Sequence, residues 1–376
     1  MIETCKNCVM DTTTQFINFD KNGVCNYCHA HEELNKQFPI NGNEHKIAKT
    51  IIHQGKNRKF DCVLGVSGGR DSTYLVYLVR SLGLRPLLVH FNDGFDNPTA
   101  GKNIRNIIKK TNFELRTITS DWRESKDIRL ALIKASVPDM ALGTDLGIAA
   151  ALYSVAAKEN VKYIISGVSF RTEGVVPLDW NYLDGKYLKS IMKEHGTVKL
   201  RSWKPFDAGF NFDTKEFLYY SIIKKIKFIP LLYHVDYNRS VAEKIIKEEF
   251  DWVYPGAHYF DDLYQSLMSY ILRVKFKIDY RKFNYSALIR SKQLDRSEAI
   301  KKIKKIYSVE DEKIINLCIK RLGVEKNFID EIIEEKSKNF LDFKTNFNIV
   351  KFFKYPIRIF CKLGLLPPSL YFKFFQ

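Results

Sequence analysis

The 376-residue chain is 45% apolar and carries 60 basic against 43 acidic side chains, for a net charge of +17. An apolar share in the ordinary globular range excludes a largely disordered chain, and the length allows a main domain with appendages. The charge predicts anionic ligands or an acidic surface, and no apolar run is long enough to span a bilayer.

The first residues, Met1-Ile2-Glu3-Thr4-Cys5, do not read as a signal peptide, so the expectation is a cytoplasmic protein with reduced cysteines. Cys5-x-x-Cys8 and Cys25-x-x-Cys28 follow, sixteen residues apart, with Asn7 and Gly23 suited to knuckle turns. This spacing predicts a four-thiolate structural Zn²⁺ site with no open position. Two disulfides are the alternative, disfavoured by a reducing compartment. His29 and His31 read as surface residues.

Residues 62–66 form a short apolar run of the kind a parallel sheet buries on both faces. Ser67-Gly68-Gly69-Arg70-Asp71-Ser72 comes next, with Asp71 and Ser72 read as helix N-cap residues before an apolar helix. Strand, glycine turn and helix N-terminus together make a nest of N–H donors for an anion. The spacing is neither G-x-x-x-x-G-K-[ST] nor G-x-G-x-x-G. It resembles the S-G-G-x-D-S signature of the PP-loop ATP pyrophosphatases, which hold ATP, adenylate an oxygen and release pyrophosphate.

Further strands are predicted at residues 87–91, 114–118 and 162–165, with helices over 99–110 and 145–159. Ligands of open α/β sheets lie beyond the carboxyl ends of the strands, which places Ser67, Asn92, Asp93, Gly167 and Arg171 on one rim. Residues 177–213 read as a substrate-covering insertion or an ordinary surface connection. Helical periodicity resumes at 215–226, 239–249 and 262–274, with Asp295 or Ser297 capping a later helix. After Asp342 there are no acids, and lysines and arginines alternate with Phe and Tyr. That tail reads as a peripheral anchor on an anionic membrane or as a segment packed on protein. Pro356 and Pro367-Pro368 interrupt any long helix there.

With the cysteine pairs and the loop, four later stretches make the chain resemble the N-acetyl sugar amidotransferase family over residues 5–300. They are Lys134-Ala135-Ser136-Val137-Pro138-Asp139, Arg171-Thr172-Glu173-Gly174, residues 232–238 and Gly256-Ala257-His258-Tyr259. The resemblance implies an α/β fold: a parallel-sheet, Rossmann-like PP-loop ATP pyrophosphatase domain with N-terminal zinc knuckles and a helical C-terminal region. The expected segments are 1–50 for the knuckles, 51–212 for the ATP pyrophosphatase domain, 213–340 for a helical substrate or partner region and 341–376 for the tail.

The implied reaction converts an acetamido group of a nucleotide-sugar to an acetamidino group, using ATP, Mg²⁺ and ammonia, in lipopolysaccharide O-antigen or related surface-glycan synthesis. Ser67, Gly68, Gly69, Arg70, Asp71, Ser72, Phe91, Asn92, Asp93 and Gly167 are the expected ATP-site residues. Asp71 is a Mg²⁺ ligand or only a helix cap, and Arg171 is a phosphate-side guanidinium. Glu173 and His258 are acid–base candidates or structural hydrogen-bonding groups. The rival readings are a tRNA-thiolating enzyme and a non-catalytic relative; Cys62 inside the predicted strand and Cys318 and Cys361, alone in apolar contexts, argue against sulfur transfer and so against a nucleic-acid partner. None of those three sits on a Gly-flanked elbow, so a separate glutaminase subunit is the expected source of ammonia, as the resemblance also implies.

Overall fold

Five strands, β1 (Cys62–Gly65), β2 (Pro86–Asn92), β3 (Leu115–Thr119), β4 (Tyr163–Ser166) and β5 (Lys227–Pro230), form an all-parallel sheet in the order β3-β2-β1-β4-β5. The computed structural model describes residues 2–201, 209–254, 262–363, 366 and 368–375. Side chains of successive strand residues point to opposite faces, and each face has its own core. Val63, Leu87 and Ile164 face the helices Trp122–Lys134 and Leu142–Lys158 through Ile128, Leu132, Ala150 and Ala151. Cys62, Leu64, Leu88 and Ile165 face the helices Arg70–Ser81 and Arg239–Phe250 through Leu75, Val76, Val79, Ile246 and Phe250. Burial on both faces explains why β1 and β4 read as unbroken apolar runs.

The periodicity predicts one helix over residues 215–226, and the chain departs from it. A short helix, Thr214–Leu218, widens into a π-turn, Tyr219–Ile223; Lys225 takes a φ of +55°, and the chain enters β5, where Phe228 pairs with Ile164 and Ile229 with Ile165. The predicted span is thus helical to Ile223, and β5, for which no strand is predicted, follows it at an open edge of the sheet. The α/β unit therefore extends past the expected boundary at residue 212. The segment from 177 is not merely a surface connection: Trp180, Tyr182, Tyr187 and Leu188 are buried in the core, and residues 202–208 lie outside the described ones.

The N-terminal cysteine segment is built into the helical region and is not a free lobe. Arg296 donates to the carbonyls of Cys5 (2.9 Å) and Cys8 (3.0 Å), the Ser286 hydroxyl accepts from Val9 N–H (3.1 Å), and Lys282 pairs with Asp11. The four cysteines share one core with residues of the helices Tyr264–Phe276, Arg281–Arg290 and Glu312–Leu322. His29 is half exposed beside Asp20, but His31, expected at the surface, is buried with its ring against Phe170 at 5.2 Å.

Arg171 occupies a different place from the expected rim position. Its buried guanidinium donates to the carbonyls of Phe38 and Tyr233, both at 2.7 Å, and to Asn35 Oδ1 at 3.0 Å, and lies over the Phe170 ring. It ties the end of the helix Asn26–Gln37 to the loops after β4 and β5. Only a planar fork spans those acceptors, so lysine is no substitute. Truncation leaves two buried carbonyls without donors. Arg171→Ala should therefore lower stability by about 3 kcal/mol, read as a shifted urea midpoint with an unchanged slope, and Arg171→Lys should recover less than half. An unshifted midpoint would contradict the clamp.

Candidate functional site

β1 ends at Gly65, and the ladder continues one bond further, from Val66 N–H to the Val89 carbonyl at 2.9 Å. The chain then folds back on itself. Ser72 Oγ accepts from Ser67 N–H (3.2 Å) and lies 3.1 Å from Ser67 Oγ, which accepts from Gly69 N–H (3.3 Å). Thr73 donates its hydroxyl to the Gly69 carbonyl at 2.6 Å. Gly68 has a φ of +79°, and a Cβ there would sit 2.2 Å from the Ala100 carbonyl oxygen, so only glycine fits. Its own carbonyl is held from two sides, by Asn103 Nδ2 and Trp252 Nε1, each at 3.0 Å. Asn103 in turn pairs through both amide atoms with the backbone of Val253.

The helix begins one turn-position earlier than Asp71 and Ser72 would cap. It spans Arg70–Ser81, its N-cap is Gly69, and no side chain caps it. The first-turn N–H groups are thus directed at the loop, with a helix dipole behind them. Asp71 is therefore not a cap. One of its oxygens accepts from the Tyr237 hydroxyl, and the other, Oδ2, is buried without a partner among the described residues. Arg70 turns onto the helix Arg239–Phe250, with its Nε 3.4 Å from Glu243 and its guanidinium over Tyr254.

A cavity of about 320 Å³ opens beside this loop, at the carboxyl ends of β1, β2 and β4 where the strand order reverses. Ser67, Ser72, Phe91, Asp93 and Gly167 line it, so five expected residues meet in one place. Gly167 packs against the Asp71 backbone, where an added Cβ would lie 3.4 Å from its carbonyl. Asp93 is a buried ion-pair partner of Arg129 and also accepts from Thr144 Oγ1 at 2.6 Å; the guanidinium lies over both the Phe95 and Tyr264 rings, which also touch each other. Asn92 caps the turn by accepting from Gly94 N–H at 2.9 Å. Glu173 accepts from Ser169 N–H at 3.0 Å, and neither it nor Arg171 lines the cavity. His258 and its neighbours lie outside the described residues.

The motif residues read from the sequence have scaffold roles as well. Asp139 is fully buried, accepts from Tyr187 and from the Tyr182 amide, and has its pKa pushed up to about 7 by burial. Asn238 caps the helix Arg239–Phe250 and so fixes Tyr237, which reaches Asp71.

Sequence reasoning missed His90. Its Nδ1 lies 2.9 Å from the Val66 carbonyl and its Nε2 lies 2.8 Å from Asp96, and both His90 and Asp96 line the cavity. The Val66 carbonyl only accepts, so Nδ1 carries a proton, and an ionised Asp96 opposite Nε2 favours a second one and a charged imidazole. Burial opposes that charge, but the bond and charge of Asp96 outweigh it and raise the pKa. The available signal was a polar residue inside an otherwise apolar parallel strand. Asp96, Asp145 and Asp262 add carboxylates to the same wall, Asp145 with its pKa raised by burial.

The cysteine cluster fits a tetrahedral metal. Sγ–Sγ separations are 3.9 Å for Cys5–Cys28, 3.7 Å for Cys8–Cys25 and 3.6 Å for Cys25–Cys28. A tetrahedron with Zn–S bonds of about 2.3 Å has edges of about 3.8 Å, whereas a disulfide needs about 2.05 Å. All four thiols are free and buried. The partly buried Arg290 donates to Cys8 Sγ (3.2 Å) and Cys28 Sγ (3.3 Å), which offsets the charge of a tetrathiolate.

Residues 249–355 match the family described as LPS biosynthesis protein WbpG-like, C-terminal domain. No curated protein matches the chain. Among solved structures, a predicted subunit of tRNA methyltransferase from Methanocaldococcus jannaschii is 17% identical over 50% of this chain and 74% of that one, with a TM-score of 0.28. NMN synthetase from Francisella tularensis is 11% identical over 75% of this chain and 97% of that one, at 0.33. The U34-tRNA thiolase NcsA from Methanococcus maripaludis, described with its [4Fe-4S] cluster, is 12% identical over 87% of this chain and 100% of that one, at 0.33.

Purified protein should carry about one zinc equivalent, and Cys25→Ser should lower both metal content and melting temperature; full metal loss with an unchanged melting curve would refute the site. For His90 the folded pKa lies above the unfolded value of about 6.5. Its stabilisation is therefore fully present below that value and is lost as pH rises through the folded pKa. The melting-temperature gap between wild type and His90→Gln should be widest near pH 5.5 and narrow steadily above neutrality, whereas a pH-independent gap would contradict the charged imidazole.

Proposed function

We propose that this chain is an ATP-dependent N-acetyl sugar amidotransferase. It activates the acetamido oxygen of a nucleotide-sugar with AMP and replaces that oxygen with ammonia, in lipopolysaccharide O-antigen or related surface-glycan synthesis. The observation that carries the reading is the S-G-G-R-D-S loop, folded between an uncapped helix N-terminus and a cavity at the switch point of a parallel sheet. The similarity of residues 249–355 to an LPS biosynthesis family supports the pathway class.

An amide carbonyl is a poor electrophile because the nitrogen lone pair stabilises it. Its oxygen attacks the α-phosphorus of ATP, the α–β bridging bond breaks, and pyrophosphate leaves into the N–H nest at Ser67 to Ser72. The carbon now carries AMP as leaving group. Ammonia adds there, the C–O bond breaks, and AMP departs with the former amide oxygen, leaving a protonated amidine. The charged His90 beside the loop offsets phosphate charge. Mg²⁺, when bound, would neutralise phosphate charge, and Asp71, with an oxygen buried and unpartnered among the described residues, is a ligand this chain offers it. The apolar wall formed by Val89, Ile148 and Leu152 excludes water from the activated intermediate.

Thiolation fits the cysteines poorly. Cys62 lies inside β1 with its thiol pushed up by burial, Cys318 and Cys361 are raised by burial to about 12 and about 11, and the other four form the metal cluster. No cysteine lines the cavity. The same distribution supports a separate glutaminase as the ammonia source.

Pyrophosphate release should require an acetamido nucleotide-sugar together with ATP, proceed with ammonium at high pH, and not proceed with glutamine alone. Ser67→Ala and Asp71→Asn should each slow it on the order of 10²-fold with little change in melting temperature. Full turnover in both variants, or turnover on tRNA in place of the sugar, would overturn the proposal.

A further inference from the structure

The tail is half core and half exposed surface. Phe340, Phe343 and Phe347 are buried against Tyr182 and Tyr187, with Phe340 stacked on Tyr182 at 4.3 Å. The last helix, Pro368–Phe375, returns to the same place, where Phe374 meets Tyr182 and Phe347. Residues 348–363 are thus pinned at both ends.

Between the pins the chain forms the helices Phe347–Phe352 and Lys354–Lys362. Pro356 lacks the N–H that would bond to the Phe352 carbonyl, which accounts for the break at Phe353. Their outer face is apolar: Phe352 is 81% exposed, Tyr355 74%, Ile359 56% and Leu363 59%. Tyr355, Ile359 and Leu363 follow helical spacing along the second helix, and Phe352 lies just before it across the break. Lys351, Lys354, Arg358 and Lys362 each precede one of them, so a basic stripe runs beside the apolar one. No acidic residue follows Asp342 to balance those charges.

We propose that residues 349–363 dock on an anionic lipid surface. Aromatic and aliphatic side chains suit the acyl boundary and the basic stripe suits lipid phosphates, the pairing an in-plane amphipathic segment uses. No described helix is long and apolar enough to cross a membrane, so the segment lies on the leaflet. An acidic protein partner would satisfy the basic stripe but leave the apolar stripe without an equivalent.

The test uses the full chain with sedimented vesicles of phosphatidylcholine alone or mixed with phosphatidylglycerol. The chain should sediment with the mixed vesicles at low salt and stay in solution with the neutral ones. High salt should weaken binding on the order of tenfold. The triple variant Phe352→Ser, Tyr355→Ser, Ile359→Ser keeps the net charge yet should lose binding on the order of tenfold at low salt. The pair Lys351→Glu, Arg358→Glu should lose at least as much, and melting temperatures should stay within the wild-type range. Failure of the wild type to bind mixed vesicles would overturn the proposal. So would serine variants that bind as wild type does, or equal binding to soluble polyglutamate.

Discussion

The carbonyl oxygen of Gly68, gripped by Asn103 and Trp252, is the contact on which the site depends. It holds a positive-φ turn so close to Ala100 that no side chain could be accommodated. With the turn fixed there, the helix Arg70–Ser81 starts at Gly69 without a side-chain cap, and its N–H groups stay available. Both clamping residues come from outside the strand–loop–helix unit. Trp252 follows the helix that packs on Arg70–Ser81, so the loop's shape is set by tertiary packing on the second face of the sheet. A glycine-rich loop with only its own hydrogen bonds would have many conformations to lose on binding.

A second constraint works at the other end of the molecule. Arg290 donates to two thiols and Arg296 to the carbonyls of Cys5 and Cys8, and the cluster shares one core with the helix Tyr264–Phe276, whose Tyr264 lines the cavity. The metal site is therefore part of the helical core. Losing the metal would loosen the N-terminal segment and the helical scaffold together.

The strands β1, β2 and β4 and the loop were legible because burial and glycine chemistry leave local marks, and β3, a partly exposed edge strand, was read from its place after a helical stretch. β5 was not, because it is only four residues, Lys227–Pro230, directly after a helical stretch, and its strand character comes from pairing with β4. The cysteine spacing named its ligands, since tetrahedral chemistry restricts spacing. Arg171 was misplaced: a guanidinium near a rim looks the same in sequence whether it faces phosphate or two carbonyls, and only the fold brings Phe38 and Tyr233 to it. His90 went unread because its two acceptors, Val66 and Asp96, are identified by register and turn geometry. The tail's basic and aromatic alternation was visible, but its division into a buried part and an exposed stripe depends on where Tyr182 sits.

The central claim is that an amide oxygen is adenylated in the cavity beside this loop. The most direct test supplies the acetamido nucleotide-sugar with ¹⁸O in its carbonyl and follows the label by mass spectrometry during turnover with ATP and ammonium. The account predicts that one ¹⁸O appears in AMP for each amidine formed and none in pyrophosphate. Label retained in the sugar, or released to water, would contradict it.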